Sequence, residues 1–140
     1  MRAAKGRSED CNRAQAHVRL NQARAFLDVA ELVEGEDNDL STEHVSAALA
    51  VLAGIAAADA ACCAALGTRS RGQDHRQALV LVAQAGSDGK AMSRALSQLL
   101  DLKDNAHYGM VFVSPGQVKK AVRQARILVA GASKLLTDQS

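Results

Sequence analysis

The chain has 140 residues, 48% of them hydrophobic and only 2% aromatic, and a formal net charge of +2 at pH 7. This length suits one domain around a single core, so 1–140 is read as one helical-bundle domain with 1–8 and 137–140 frayed. Alanine, the strongest helix former, dominates, while the β-branched and aromatic residues that strands favour are sparse, which argues against a sheet-based fold.

The first helix is expected from about Glu9 to Val33, because Ala16, Leu20, Ala23, Leu27 and Ala30 recur at the helical period, with Phe26 and Val33 widening the stripe. Arg2, Lys5, Arg7, Arg13, Arg19 and Arg24 gather at this end of the chain, as a solvated helix start or as an arm that contacts phosphate. The acidic run Glu34–Asp39 stops the helix, with Gly35 as its C-cap.

A second helix opens at Ser41 or Thr42, with Glu43 in the first turn, where the helix dipole favours a carboxylate. Val45, Leu49, Leu52, Ile55, Ala56, Cys62, Cys63 and Leu66 mark its expected buried face, and Gly67 ends it. Asp59 falls on that same face, where a carboxylate must find a partner or shift its pKa. Thr68–Gln73 reads as a short basic loop.

The third helix starts near Asp74 and places His75 on one face with Leu79 and Val82, and the turn Ala85–Gly89 closes it. The fourth carries Met92, Ala95, Leu96, Leu99, Leu102 and Ala106, with Lys103 on or beside the core face, and breaks at Gly109. Met110–Val113 is expected as an apolar connector laid across the bundle end. Ser114 then caps a fifth helix, with Pro115 in its first position, Gln117 completing a capping box, and a stripe of Val118, Val122, Ala125, Leu128, Val129 and Leu135. The fold class is therefore all-α, an antiparallel bundle of about five helices.

Motifs exclude more chemistry than they support. His17, His44, His75 and His107 fall on separate helices without ligand spacing, and no Cys-x-x-Cys is present, so neither a metal nor another cofactor is expected. No glycine-rich phosphate cradle with a following lysine occurs. Cys11, Cys62 and Cys63 make an odd count that suggests no disulfide framework and fits a reducing cytoplasm. Cys62 or Cys63 with His75 could make a nucleophile, but buried, inert thiols are the simpler reading. No span of a membrane is expected. Asp59 and His75 are polar residues on apolar faces of consecutive helices. They could bond each other, or Asp59 could take Lys103 or Tyr108, giving a polar network that fixes helix register or one that positions Lys103 or His107.

The stretches Ala57–Ala61 (AADAA), Gly72–Ala78 (GQDHRQA) and Leu102–Gly109 (LKDNAHYG), followed by a helix opened by Ser114-Pro115, resemble the HEPN superfamily over roughly Ser41 to Ala132. The resemblance implies a small all-α bundle, often dimeric, of prokaryotic toxin–antitoxin and defence systems. Active members are metal-independent ribonucleases whose motif is an arginine, a polar residue and, further on, a histidine. Here Lys103 stands at the arginine position, Asp104 at the polar one, and His107 follows after three intervening residues, closer than the family spacing. A lysine cannot form the bidentate fork that arginine makes with phosphate. A second family pattern, Arg-x-x-Ala-Asp-Tyr, matches at Lys103, Ala106 and Tyr108 and lacks the catalytic histidine.

The resemblance implies three readings. The first is a non-catalytic or weakly active RNA- or partner-binding component, in which Arg69, Arg71, Arg76 and Lys103 contact phosphate. The second is a ribonuclease using Lys103 and His107, assisted by Tyr108 or Asp104. The third is a structural adaptor without nucleic acid. Expected partners are a second copy of the chain, RNA and a cognate antitoxin-type protein.

Overall fold

Alanine decides how the helices meet. α2 (Thr42–Leu66) packs against α1 (Arg13–Glu34), α4 (Gly89–Tyr108) and α5 (Pro115–Asp138), while the short α3 (His75–Ala83) lies mainly on α4. The computed structural model describes residues 8–36, 42–71, 75–108 and 110–138, and these make an all-α bundle of five helices. Ala47, Ala50, Ala53, Ala56, Ala57, Ala60 and Ala61 of α2 are fully buried, so neighbouring backbones close in on a helix of small side chains. At Gly54 even a methyl group is too large: a Cβ there would run into the Leu99 side chain and lie 3.2 Å from Leu128 Cδ1. This contact sets α4, and with it Lys103 and His107, close over α2.

α2 is long and apolar enough, by length and composition, to cross a membrane, but most of that stretch is buried against the other helices. Its apolar character runs all round, and this explains a misplaced expectation. Val45 and Leu52 belong to its exposed side rather than to the core. The α4–α5 connector also differs from expectation. Only Val113 is buried, whereas Met110, Val111 and Phe112 are exposed, and His44 Nε2 meets the Val111 carbonyl at 2.9 Å.

The N-terminal end departs most from the sequence reading. α1 does not begin at Glu9. Asn12 caps it, accepting from the Gln15 amide at 2.8 Å while Gln15 Oε1 accepts from the Asn12 amide at 2.9 Å. The capped start leaves Ser8–Asp10 extended as β1, which pairs antiparallel with β2 (Thr68–Ser70) in the register Ser8–Ser70, Glu9–Arg69 and Asp10–Thr68. Part of the expected basic loop is thus a strand, reached through Gly67, whose φ of 73° turns the chain out of α2. Gly72 and Gln73 of that loop lie outside the described residues, as do Asp74, near which the third helix is expected to start, Gly109 and the two C-terminal residues.

The expected absence of disulfides is also overturned. Cys11 and Cys63 are bonded, with Cα atoms 5.3 Å apart across a sequence separation of 52. A loop of that length, closed in the unfolded chain, stabilises the fold by about 4 kcal/mol in the chain-entropy picture. β1 is therefore fastened by its ladder, by the Cys11 amide donating to the Gly67 carbonyl at 3.0 Å, and by a covalent bond to α2.

The α2–α4 contact is directly testable. Gly54→Val, which forces branched carbon into the space of Leu99 and Leu128, should destabilise the protein by about 2 kcal/mol in urea denaturation through overpacking. A neutral or stabilising result would show that α4 can move away from α2.

Candidate anion-binding groove

The groove is organised by Asp59. Its carboxylate sits in the alanine-lined face of α2, with 15% of the side chain exposed. Arg19 of α1 donates from Nε to Oδ2 at 2.9 Å, and Arg69 of β2 donates from Nη1 to the same oxygen at 3.0 Å. Arg69 also donates from Nη2 and Nε to Glu9 Oε1 at 3.0 and 3.2 Å, which ties β1 into the network. Burial pushes the Asp59 carboxyl above its ordinary value, while Arg19 and Arg69 pull it back. The expected partners of Asp59 were His75, Lys103 or Tyr108, and the structure replaces them with two arginines. Arg69 reaches Asp59 only because β2 folds back over the end of α2.

Beside this network lies a cavity of about 360 Å³. Arg19, Asp59, Arg69, Arg71, His75, Lys103 and His107 supply its polar wall, and Leu52, Ile55, Ala58, Ala78, Leu96 and Leu100 its apolar one. Lys103 Nζ stands 3.5 Å from His75 Nε2. His107 is half-buried, its ring edge-on to Tyr108 with centroids 6.4 Å apart. His107 Nε2 is buried and has no hydrogen-bond partner among the described residues.

Charge sets what the cavity favours. Among the described residues, four side-chain cations, Arg19, Arg69, Arg71 and Lys103, line it beside one carboxylate, that of Asp59. That carboxylate already serves two of them. Among the described residues the balance of lining charge is therefore positive, and the apolar wall strengthens its effect.

The structure brings together six residues singled out in the sequence: Asp59, Arg69, Arg71, His75, Lys103 and His107. It leaves out three others. Asp104, Tyr108 and Arg76 are exposed and do not line the cavity. The set Lys103, Asp104, His107 and Tyr108 is accordingly split between the cavity and the outer face of α4. Arg19, read in the sequence only as one of the basic residues of a solvated helix start or a phosphate-contacting arm, also lines the cavity, as the partner of Asp59. Its signal was present, since Arg19 shares a helix face with the buried Ala16 and Ala23.

Thiol chemistry does not belong to this site. Burial, with the Asp59 charge adding to it, pushes the Cys62 thiol up to about 12, so it stays protonated. Cys63, expected as a second inert thiol, is in the disulfide. Among the described residues, no group of three or more His, Cys, Asp or Glu side chains gathers to hold a metal ion. No protein-family model matches the chain, and no curated protein matches it.

The Asp59 shift has a measurable sign. A folded carboxyl above 3.8 binds its proton more tightly than the unfolded one. Its contribution to stability is fully present below 3.8 and is lost as pH rises through the raised folded value. The stability of the wild type minus that of Asp59→Asn, from urea denaturation across acid pH, should therefore fall with rising pH and level off toward neutrality. A difference that grows with pH would mean that the two arginines outweigh burial.

Proposed function

We propose that this chain is a HEPN-like bundle whose main activity is to bind RNA in the Asp59 groove, as a non-catalytic or weakly active component of a toxin–antitoxin or defence system. The observation that carries this reading is the convergence of Arg19, Arg69, Arg71 and Lys103, from α1, β2, the residue just beyond β2 and α4, onto one cavity with an apolar wall. Arginine forks suit the paired oxygens of a phosphodiester, and Lys103 adds a point charge. The apolar wall of Leu52, Ile55, Leu96 and Leu100 suits the ribose and base edges between phosphates. The proposal includes a cytoplasmic location, a second copy of the chain as partner, and a cognate antitoxin-type protein.

A second reading, metal-independent RNA cleavage, is favoured by one observation. His75 and His107 line the cavity on either side of Lys103 in sequence, and two imidazoles with a nearby cation can move the protons of 2′-hydroxyl attack. Against it stand the exposed positions of Asp104 and Tyr108, which the resemblance would enlist as assistants.

The test is binding of a fluorescent, mixed-sequence single-stranded RNA, followed by anisotropy across a salt series in EDTA, with an aliquot run on a gel. Affinity should fall linearly with salt on logarithmic axes. Arg71→Ala and Lys103→Ala should each weaken binding and lower the slope by about 0.7, the loss of one phosphate contact to a single strand. Affinity independent of salt, or variants that bind as the wild type does, would contradict the proposal. Cleavage by the wild type that His107→Ala abolishes would move the conclusion to the second reading.

A further inference from the structure

Arg69 faces two ways. Toward Asp59 it lines the groove, and toward β1 it is engaged by Glu9, with Nη2 and Nε donating to Oε1 at 3.0 and 3.2 Å. Glu9 stands two residues before Cys11, and the Cys11–Cys63 bond fixes that part of the chain to α2. Both cysteines, together with Glu9, Arg19 and Arg69, line a second open cavity of about 490 Å³. The disulfide and the anion groove are thus neighbours that share Arg19 and Arg69 as a common wall.

We propose that the Cys11–Cys63 disulfide sets the anion affinity of the groove by holding the Glu9 carboxylate on Arg69. This rests on the reading of the groove as a phosphate-binding site. β1 is three residues long and exposed at all three positions. A two-stranded pairing of this size is marginal without further support. Among the described residues, and apart from the ladder itself, it is attached by the disulfide, the Cys11 amide to the Gly67 carbonyl, the Thr68 hydroxyl donating to the Glu9 carbonyl at 3.2 Å, and the Glu9–Arg69 pair. The bond is the one attachment that thermal fraying cannot break. In the oxidised protein Glu9 neutralises Arg69 from behind, while after reduction β1 loosens, Glu9 leaves, and Arg69 offers its charge to the ligand.

The step needs a dithiol. Its thiolate attacks the Cys11 sulfur, because Cys11 is half-buried whereas Cys63 is 6% exposed. Cys63 leaves as a thiolate and takes a proton. The second thiolate of the reagent then attacks its own sulfur in the mixed disulfide and releases Cys11, so two electrons and two protons pass to the protein and the dithiol becomes a cyclic disulfide. In the reducing compartment that the proposed function assigns, a disulfide is commonly of this transient, redox-responsive kind.

The experiment compares the full-length protein, oxidised and after treatment with dithiothreitol, with thiols counted by alkylation and mass. Two probes are titrated at constant ionic strength, a fluorescent single-stranded RNA and inorganic pyrophosphate. Reduction should tighten both by about two- to fivefold, the range of a partly exposed ion pair. Glu9→Gln, with the disulfide intact, should reach the affinity of the reduced wild type and show little further response to reduction. This variant leaves the cysteines in place, so it does not depend on a cysteine substitution that could prevent folding. Equal affinity in both redox states, or a Glu9→Gln variant as responsive as the wild type, would overturn the proposal while RNA binding stands. Pyrophosphate affinity that follows redox state without RNA binding would overturn the RNA reading and leave the switch. Neither probe binding in either state would overturn both, and a bond that dithiothreitol leaves intact in the folded protein would overturn the switch.

Discussion

One carboxylate in an alanine helix constrains most of the features that distinguish this bundle. Asp59 is too buried to be left to water and too charged to be left alone, and α2 offers it no partner of its own. The structure answers with Arg19 from one side and Arg69 from the other, both on the same oxygen. Bringing Arg69 there requires the chain to turn sharply at Gly67 and run back as a strand. That strand in turn gives β1 a partner, and β1 carries Glu9 to Arg69 and Cys11 to Cys63.

The groove follows from the same arrangement. A guanidinium has five N–H donors and cannot lose its charge; among the described residues Arg19 spends one on Asp59 and one on Gln22, and Arg69 one on Asp59 and two on Glu9. α4 closes the opposite wall because Gly54 admits it against α2, and it delivers Lys103 and His107 at the level of His75. Among the described residues the cavity is thus cationic on its polar side and aliphatic on the other, and His107, whose buried Nε2 has no hydrogen-bond partner among those residues, lines it. On these properties rests the proposal of an anionic ligand that also carries apolar parts.

How much of this could be read in the sequence differs from element to element. The helices were legible because α1, α4 and α5 carry apolar stripes at the helical period, and the capping box at Ser114 and Gln117 fixed the start of α5. The faces of α2 were not, because a helix apolar all round has no stripe to read, and Val45 and Leu52 fell on the wrong side. The strands were invisible for a different reason: Ser8–Asp10 is polar and wholly exposed, so it has no alternation. The disulfide pairs two of three cysteines that lie 52 residues apart, a connectivity that spacing alone cannot give. Asp59 and His75 announced themselves as polar residues on apolar faces, but their partners, Arg69 and Lys103, were set by tertiary folding.

The histidines provide the most direct test of the central claim, that the Asp59 groove is where an anionic ligand sits. His75 and His107 line the groove, whereas His17 is exposed on α1 and His44 sits by the α4–α5 connector. Imidazole resonances of the four should be followed by NMR as single-stranded RNA is added at constant pH and salt. The account predicts that His75 and His107 shift together along one binding curve while His17 and His44 stay in place. RNA that leaves His75 and His107 unmoved, or that moves all four alike, would contradict it.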